Sequence, residues 1–187
     1  MNVRWSLGIA LLLWLPLVHA APGNAPVGDD DDDAVRVLPS PLAETVRDAT
    51  AAYRDVETAM ADGYELFLGC VSGRQVGAMG IHYVRADLLE DGAVDPRRPE
   101  SLVYEPQQDG SLELVGVEYI TFAEVWDGMN EAAPVLAGQV FHYTGEPNRY
   151  RIPAHYELHV WAWRRNPLGT FADFNPRVSC EPYDPRS

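Results

Sequence analysis

Positive charge is what this chain has least of. Fourteen Lys and Arg stand against 28 Asp and Glu, a formal charge of −14 over 187 residues. A protein that neutralises phosphates needs a basic face, so a nucleic-acid partner is excluded. Long apolar runs are also missing: the run Leu7 to Leu15 is too short for a transmembrane helix. Cysteine is limited to Cys70 and Cys180, and no HExxH or CxxC pair announces a metal site. Ser72 lies in GCVSG, which is not the GxSxG nucleophile elbow, and reads as turn material.

What is present begins with an export signal. Met1 to Ala20 carries Arg4, the apolar run, the helix-breaking Pro16, and small residues Val18 and Ala20 ahead of Ala21. That order predicts a secretory signal over residues 1–20, a periplasmic or secreted mature chain, and no membrane insertion once the signal is removed. In an oxidising compartment an even pair of cysteines predicts a Cys70–Cys180 disulfide. Residues 21–38 are Pro, Gly and Ala around the acid block Asp29 to Asp33, which repels itself and reads as a disordered linker. The block lacks the spaced ligands and turn glycine of a calcium loop. Residues 39–187 are left as a single globular domain, and 47% hydrophobic residues supply its core.

Within that domain Ser40 and Pro41 mark a helix start. Leu42, Val46, Ala49, Tyr53, Val56 and Met60 then form one apolar stripe, with Gly63 as a left-handed stop. After Gly63 the period becomes extended. Strands are expected at Tyr64–Val71, Met79–Arg85, Leu102–Glu105, Leu112–Thr121, Gln139–Thr144 and His155–Trp163. Asp87 to Glu100 reads as a loop, and Thr121 to Glu124 as the capping box of a short helix. The fold class is α+β and β-rich: a curled antiparallel sheet, or a barrel or sandwich, with one N-terminal amphipathic helix.

The stretch HYELHVWAW, His155 to Trp163, places His155, Glu157, His159, Trp161 and Trp163 on one side at period two. His82 in GIHYV, His142 in VFHYT, and Glu118 in GVEYI also fall within strands. A glutamate inside an apolar strand is costly unless it is paired or ligates something. Imidazoles joined by one carboxylate suit a mononuclear divalent ion such as zinc, copper or iron. Strand parity and spacing favour His82, Glu118 and His159 as ligands, then His142, with His155 last because it abuts Pro153 at the strand entrance. Such an ion would serve hydrolysis or oxygen chemistry, with Glu157 or Glu118 as base, or storage and delivery. The rival reading is a metal-free binding or structural module with an aromatic pocket of Tyr83, Tyr119, Trp161 and Trp163. A small molecule or a metal is the partner on either reading. Arg164 to Cys180 reads as an ordered loop over a cavity mouth or a sheet edge.

The strings GAMGIHYV, LVYEP, GVEY and LHVWAWRRNPLGTFADFNPRVSC, with the preceding ATAAYRDVETAMADGY and Cys70, resemble a group of exported bacterial proteins with no established activity. The resemblance spans most of Ala49 to Cys180. It implies bacterial export and a single domain, and transfers no catalytic residue.

Overall fold

The computed structural model describes residues 40–183; the expected signal and acidic linker lie outside that range. The helical stripe folds as three pieces rather than one: α1 (Pro41–Thr50), a 3-10 turn (Ala51–Arg54) and α2 (Val56–Ala61). Asp55 is the cause. Its extended backbone interrupts the helix, and its carboxylate accepts from the Glu57 N–H, capping a new one. The restart rotates the second half of the stripe. Leu42 and Val46 reach the core as expected, but Ala59 is buried while Met60 is exposed. Gly63 adopts the left-handed conformation at φ +92°.

The strands are β1 (Glu65–Gly73), β2 (Gly77–Val84), β3 (Ser101–Pro106), β4 (Leu112–Phe122), β5 (Val135–Leu136), β6 (Gln139–Val140), β7 (His142–Thr144) and β8 (His155–Val160). Six of them form one curled antiparallel sheet, an open half-barrel in the order β1-β2-β3-β4-β8-β7, and β5 and β6 form a separate ribbon. The curl coincides with irregular pairing. The β1–β2 register shifts three times, and Val115 is the extra residue where Val103 pairs with Gly116 but Tyr104 with Leu114.

Three expected elements differ in detail. Gln139–Thr144 is divided at Phe141, whose buried ring packs into the helix-side core. The loop expected over Asp87–Glu100 is entered by one turn of helix, α3 (Ala86–Leu89), which buries Leu88 and Leu89. No capping box forms at Thr121, because β4 runs through it to Phe122. The residue before α4 (Ala123–Asp127) is therefore Phe122, which offers no side-chain cap.

The two faces of the sheet are covered differently. On one, α1, α2 and Tyr64 pack over Leu102, Tyr104, Leu114, Val117, Tyr119, Leu158 and Val160 in a continuous apolar core. The other holds two smaller groups: Ala78, Val103, Val115, Trp161 and Val178, and Val84, Leu89 and Ile120. The C-terminal run closes over the first group. Asn175 exchanges both backbone hydrogen bonds with Ala78, and Cys180 is bonded to Cys70 of β1, as expected. Gly77 permits the crossing, since its φ is +86° and a Cβ there would collide with the Asn175 carbonyl. Among the described residues no helix is long and apolar enough to cross a membrane.

Candidate metal centre

Between the two small apolar groups lies a row of buried ionisable side chains: His82 from β2, Glu118 from β4, and His155, Glu157 and His159 from β8. Alternation places the three β8 residues on one face. Glu118 and His159 are direct cross-strand partners. His82 is two strands from Glu118, and the intervening β3 presents only Ser101 and Val103 to them. Those side chains are short, so the longer His82 and Glu118 meet above them.

His82 Nε2 lies 3.5 Å from Glu118 Oε2, and His159 Nδ1 lies 3.6 Å from Glu118 Oε1. One donor atom from each of the three residues can be chosen so that all lie within 4.8 Å of one another. Ligand atoms about 2.0–2.2 Å from a tetrahedral ion are themselves about 3.3–3.6 Å apart, and each imidazole lies at that spacing from a different oxygen of Glu118. The two imidazoles stand edge to face with centroids 6.1 Å apart. His82 Nδ1 and both ring nitrogens of His159 have no hydrogen-bond partner. Buried polar atoms normally find one, and leaving one without costs about 1–3 kcal/mol.

Burial sets the charges. It pushes His82 down to about 3, helped by His159, and it lowers His159 against the attraction of Glu157 and Asp173, so both rings are neutral. Glu118 is raised well above the carboxylate range, first by burial and then by the neighbouring charge of Glu157. Burial would raise Glu157 as well. The neighbouring His155 and Glu118 and the hydrogen bond from Thr144 outweigh that and hold it well below its ordinary value. His155 is raised, because the nearby Glu157 carboxylate and the hydrogen bond to the Pro153 carbonyl overcome its desolvation. Burial thus favours the neutral form at His82, His159 and Glu118, while the neighbours of Glu157 and His155 favour their charged forms.

A cavity of about 20 Å³ adjoins the row, and His82, Glu118, His155 and Glu157 are its polar wall. Met79, Val84, Ile120, Tyr150 and Ile152 are among its other walls. The space is enough for one water-sized atom. The loop between β7 and β8 crosses it as a strap, tied down where Arg149 donates to the Ser72 carbonyl and Tyr150 donates to Met79 Sδ.

The sequence-derived candidates are placed unevenly. His82, Glu118 and His159 come together. His142 does not: its ring is 72% exposed and lies 3.5 Å from Asp173 instead. His155, ranked last, is buried in the row. The four aromatic candidates are divided between the two faces, with Tyr83, Tyr119 and Trp163 on the helix side and Trp161 across the sheet. Tyr83 packs edge to face on Tyr104 beneath the helix, and Tyr119 is buried in the same core with its hydroxyl on the Pro96 carbonyl. β8 ends at Val160, not Trp163, and the chain turns, so Trp161 and Trp163 part company. Trp161 stacks on His159, while Trp163 reaches the helix side and donates to Thr50.

Tyr150 and Thr144 were not legible as site residues. Thr144 donates to Glu157 Oε1 at 2.7 Å, and only its parity with His142 on a three-residue strand hints at that face. Compared with protein-family models, curated proteins and solved structures, the chain matches none.

Proposed function

We propose that this is an exported metal-binding protein in which one divalent ion is held by His82, Glu118 and His159. The observation that supports the reading is the meeting of three buried donors within 4.8 Å of one another, with unpartnered nitrogens on both imidazoles. An apolar core gains nothing from such a group. A cation beside Glu118 would supply a partner for His159 Nδ1 and turn the burial of both imidazoles and the carboxylate into ligation. Two imidazoles and a carboxylate suit zinc, iron(II) or copper(II), and three protein ligands leave a position for water or a small exogenous group. An ion there would act as a Lewis acid toward whatever occupies that position, and Glu157, beside Glu118 in the same row, would add negative charge next to it. Export is supported by the disulfide and by the N-terminal sequence.

The test is elemental analysis by mass spectrometry of untagged mature protein from the exported fraction, beside the His82→Ala/His159→Ala variant. Near-stoichiometric metal in the wild type and its loss in a folded variant are expected. No metal in either, even after incubation with zinc, copper and iron, would rule the reading out.

A further inference from the structure

The row does not stop at three ligands. On the cavity side of Glu118 stand His155 and Glu157, with His155 Nε2 3.6 Å from Glu157 Oε2. That distance is long for a hydrogen bond. Both residues are oriented by outer partners in the way that metal-binding side chains commonly are: His155 Nδ1 is 2.8 Å from the Pro153 carbonyl, and Glu157 Oε1 accepts from Thr144 at 2.7 Å. The Pro153 bond fixes Nδ1 as the donor nitrogen and turns Nε2 toward the carboxylates. Glu157 and Glu118 line the same small cavity.

The cavity lies here too. Its polar wall includes His155, Glu157, Glu118 and His82 but not His159, so the space is offset from the first ligand group toward the second. Its volume of about 20 Å³ is that of a single ion or water.

From these positions we infer that the centre is dinuclear: a second divalent ion sits beside the first, ligated by His155 Nε2 and Glu157 and sharing Glu118 as a bridging carboxylate. This rests on the reading of His82, Glu118 and His159 as the first site. Any proton carried by His155 Nε2, Glu157 or Glu118 leaves to solvent as the second ion binds. Two ions bridged by one carboxylate lie about 3.5–4 Å apart, close enough to hold one water between them. Such a pair suits small oxygen ligands and phosphate or carboxylate oxygens better than a lone ion does.

The experiment is a titration of chelator-stripped mature protein with Zn(II), followed by native mass spectrometry and calorimetry. The variants His155→Ala, Glu157→Gln and His82→Ala/His159→Ala are titrated in parallel, with circular dichroism reporting their folding. Two equivalents are expected for the wild type. One should remain in His155→Ala, and the second equivalent should weaken at least tenfold in the near-isosteric Glu157→Gln. With Co(II) in place of Zn(II), the spins of the two ions should couple in the wild type and not in His155→Ala.

A single equivalent in the wild type, unchanged by either β8 variant but lost in His82→Ala/His159→Ala, would overturn the second site and leave the first standing. Two equivalents that survive both β8 substitutions would place the second ion elsewhere and equally overturn it. No binding at all would overturn both sites. Should His155→Ala fail to fold, the wild-type stoichiometry and Glu157→Gln still decide.

Discussion

The two faces of the main sheet are made of the same six strands, yet they meet opposite demands. Beneath the helix, the hydroxyls of Tyr64, Tyr104 and Tyr119 each donate to a backbone carbonyl, and aliphatic side chains close the space between them. Across the sheet, apolar packing is interrupted by three imidazoles and two carboxylates, several of whose atoms lack partners. On the helix side Thr121 Oγ1 is the one buried side-chain polar atom without a partner among the described residues, whereas across the sheet the unpartnered atoms cluster, with three imidazole nitrogens and Ser101 Oγ around Glu118. Departures of this kind are retained where function needs them, so the contrast locates the site as clearly as the donor geometry does.

The largest effect on that contrast should come from the well-packed side. Leu102 is fully buried in the helix-side core, and Leu102→Ala should cost about 3 kcal/mol. Urea unfolding measures the loss, and metal bound per folded molecule should not change. A drop in metal content that exceeds the unfolded fraction would show that the faces are not independent.

Next in size is Glu100, at the entrance to β3, whose carboxylate accepts from the Ile120 N–H at 3.0 Å. Burial raises it from about 4.5 to about 8. The folded protein therefore holds this proton more tightly than the unfolded chain does. Its contribution to stability is fully present below about pH 4.5 and is lost as pH rises through 8. At about 1.4 kcal/mol per unit, and allowing for relaxation, on the order of 2 kcal/mol should disappear between pH 5 and pH 8.5. Glu100→Gln keeps an acceptor for Ile120 and should flatten that profile. An unchanged profile would assign the pH dependence to other groups.

The smallest expected change has the opposite sign to the first. His159→Leu removes two unpartnered nitrogens from the polar face and should stabilise the metal-free protein by about 1 kcal/mol while abolishing tight metal binding. Thermal melting with and without Zn(II) reads both. The wild type should gain stability with metal, and the variant should not.

Much of this architecture could be read from the chain alone. Alternating β-branched and aromatic residues marked the long strands, because a half-buried pleat imposes period two. His82, Glu118 and His159 were legible for the same reason: polar residues at inward parity in apolar strands stand out. What escaped were features set by single residues or by distant contacts. Asp55 ended a helix that its neighbours' apolar spacing would have continued, since an aspartate on the polar face looks ordinary until its carboxylate caps the next turn. Trp163 was assigned to the wrong face because parity carries information only while a strand lasts, and this one stops at Val160. His142 shared a strand pattern with the others, but β7 is three residues long at the sheet edge and leaves the ring in solvent. The inclusion of His155 depended on how the strap folds back through Pro153, which no local pattern records.

The Cys70–Cys180 bond also draws a covalent boundary through the molecule. Residues 70 to 180 form a closed ring that contains every donor of the buried row and the whole strap, whereas α1 and α2 hang outside it as a tail. A single backbone cut inside the ring leaves one connected molecule until the sulfurs are reduced. A cut between α2 and β1 releases the helices at once. The helices are therefore held to the sheet by non-covalent contacts alone, packing and hydrogen bonds such as those from Tyr104 to Tyr53 and from Trp163 to Thr50, while the ion-binding face is bounded by a loop that outlasts a nick.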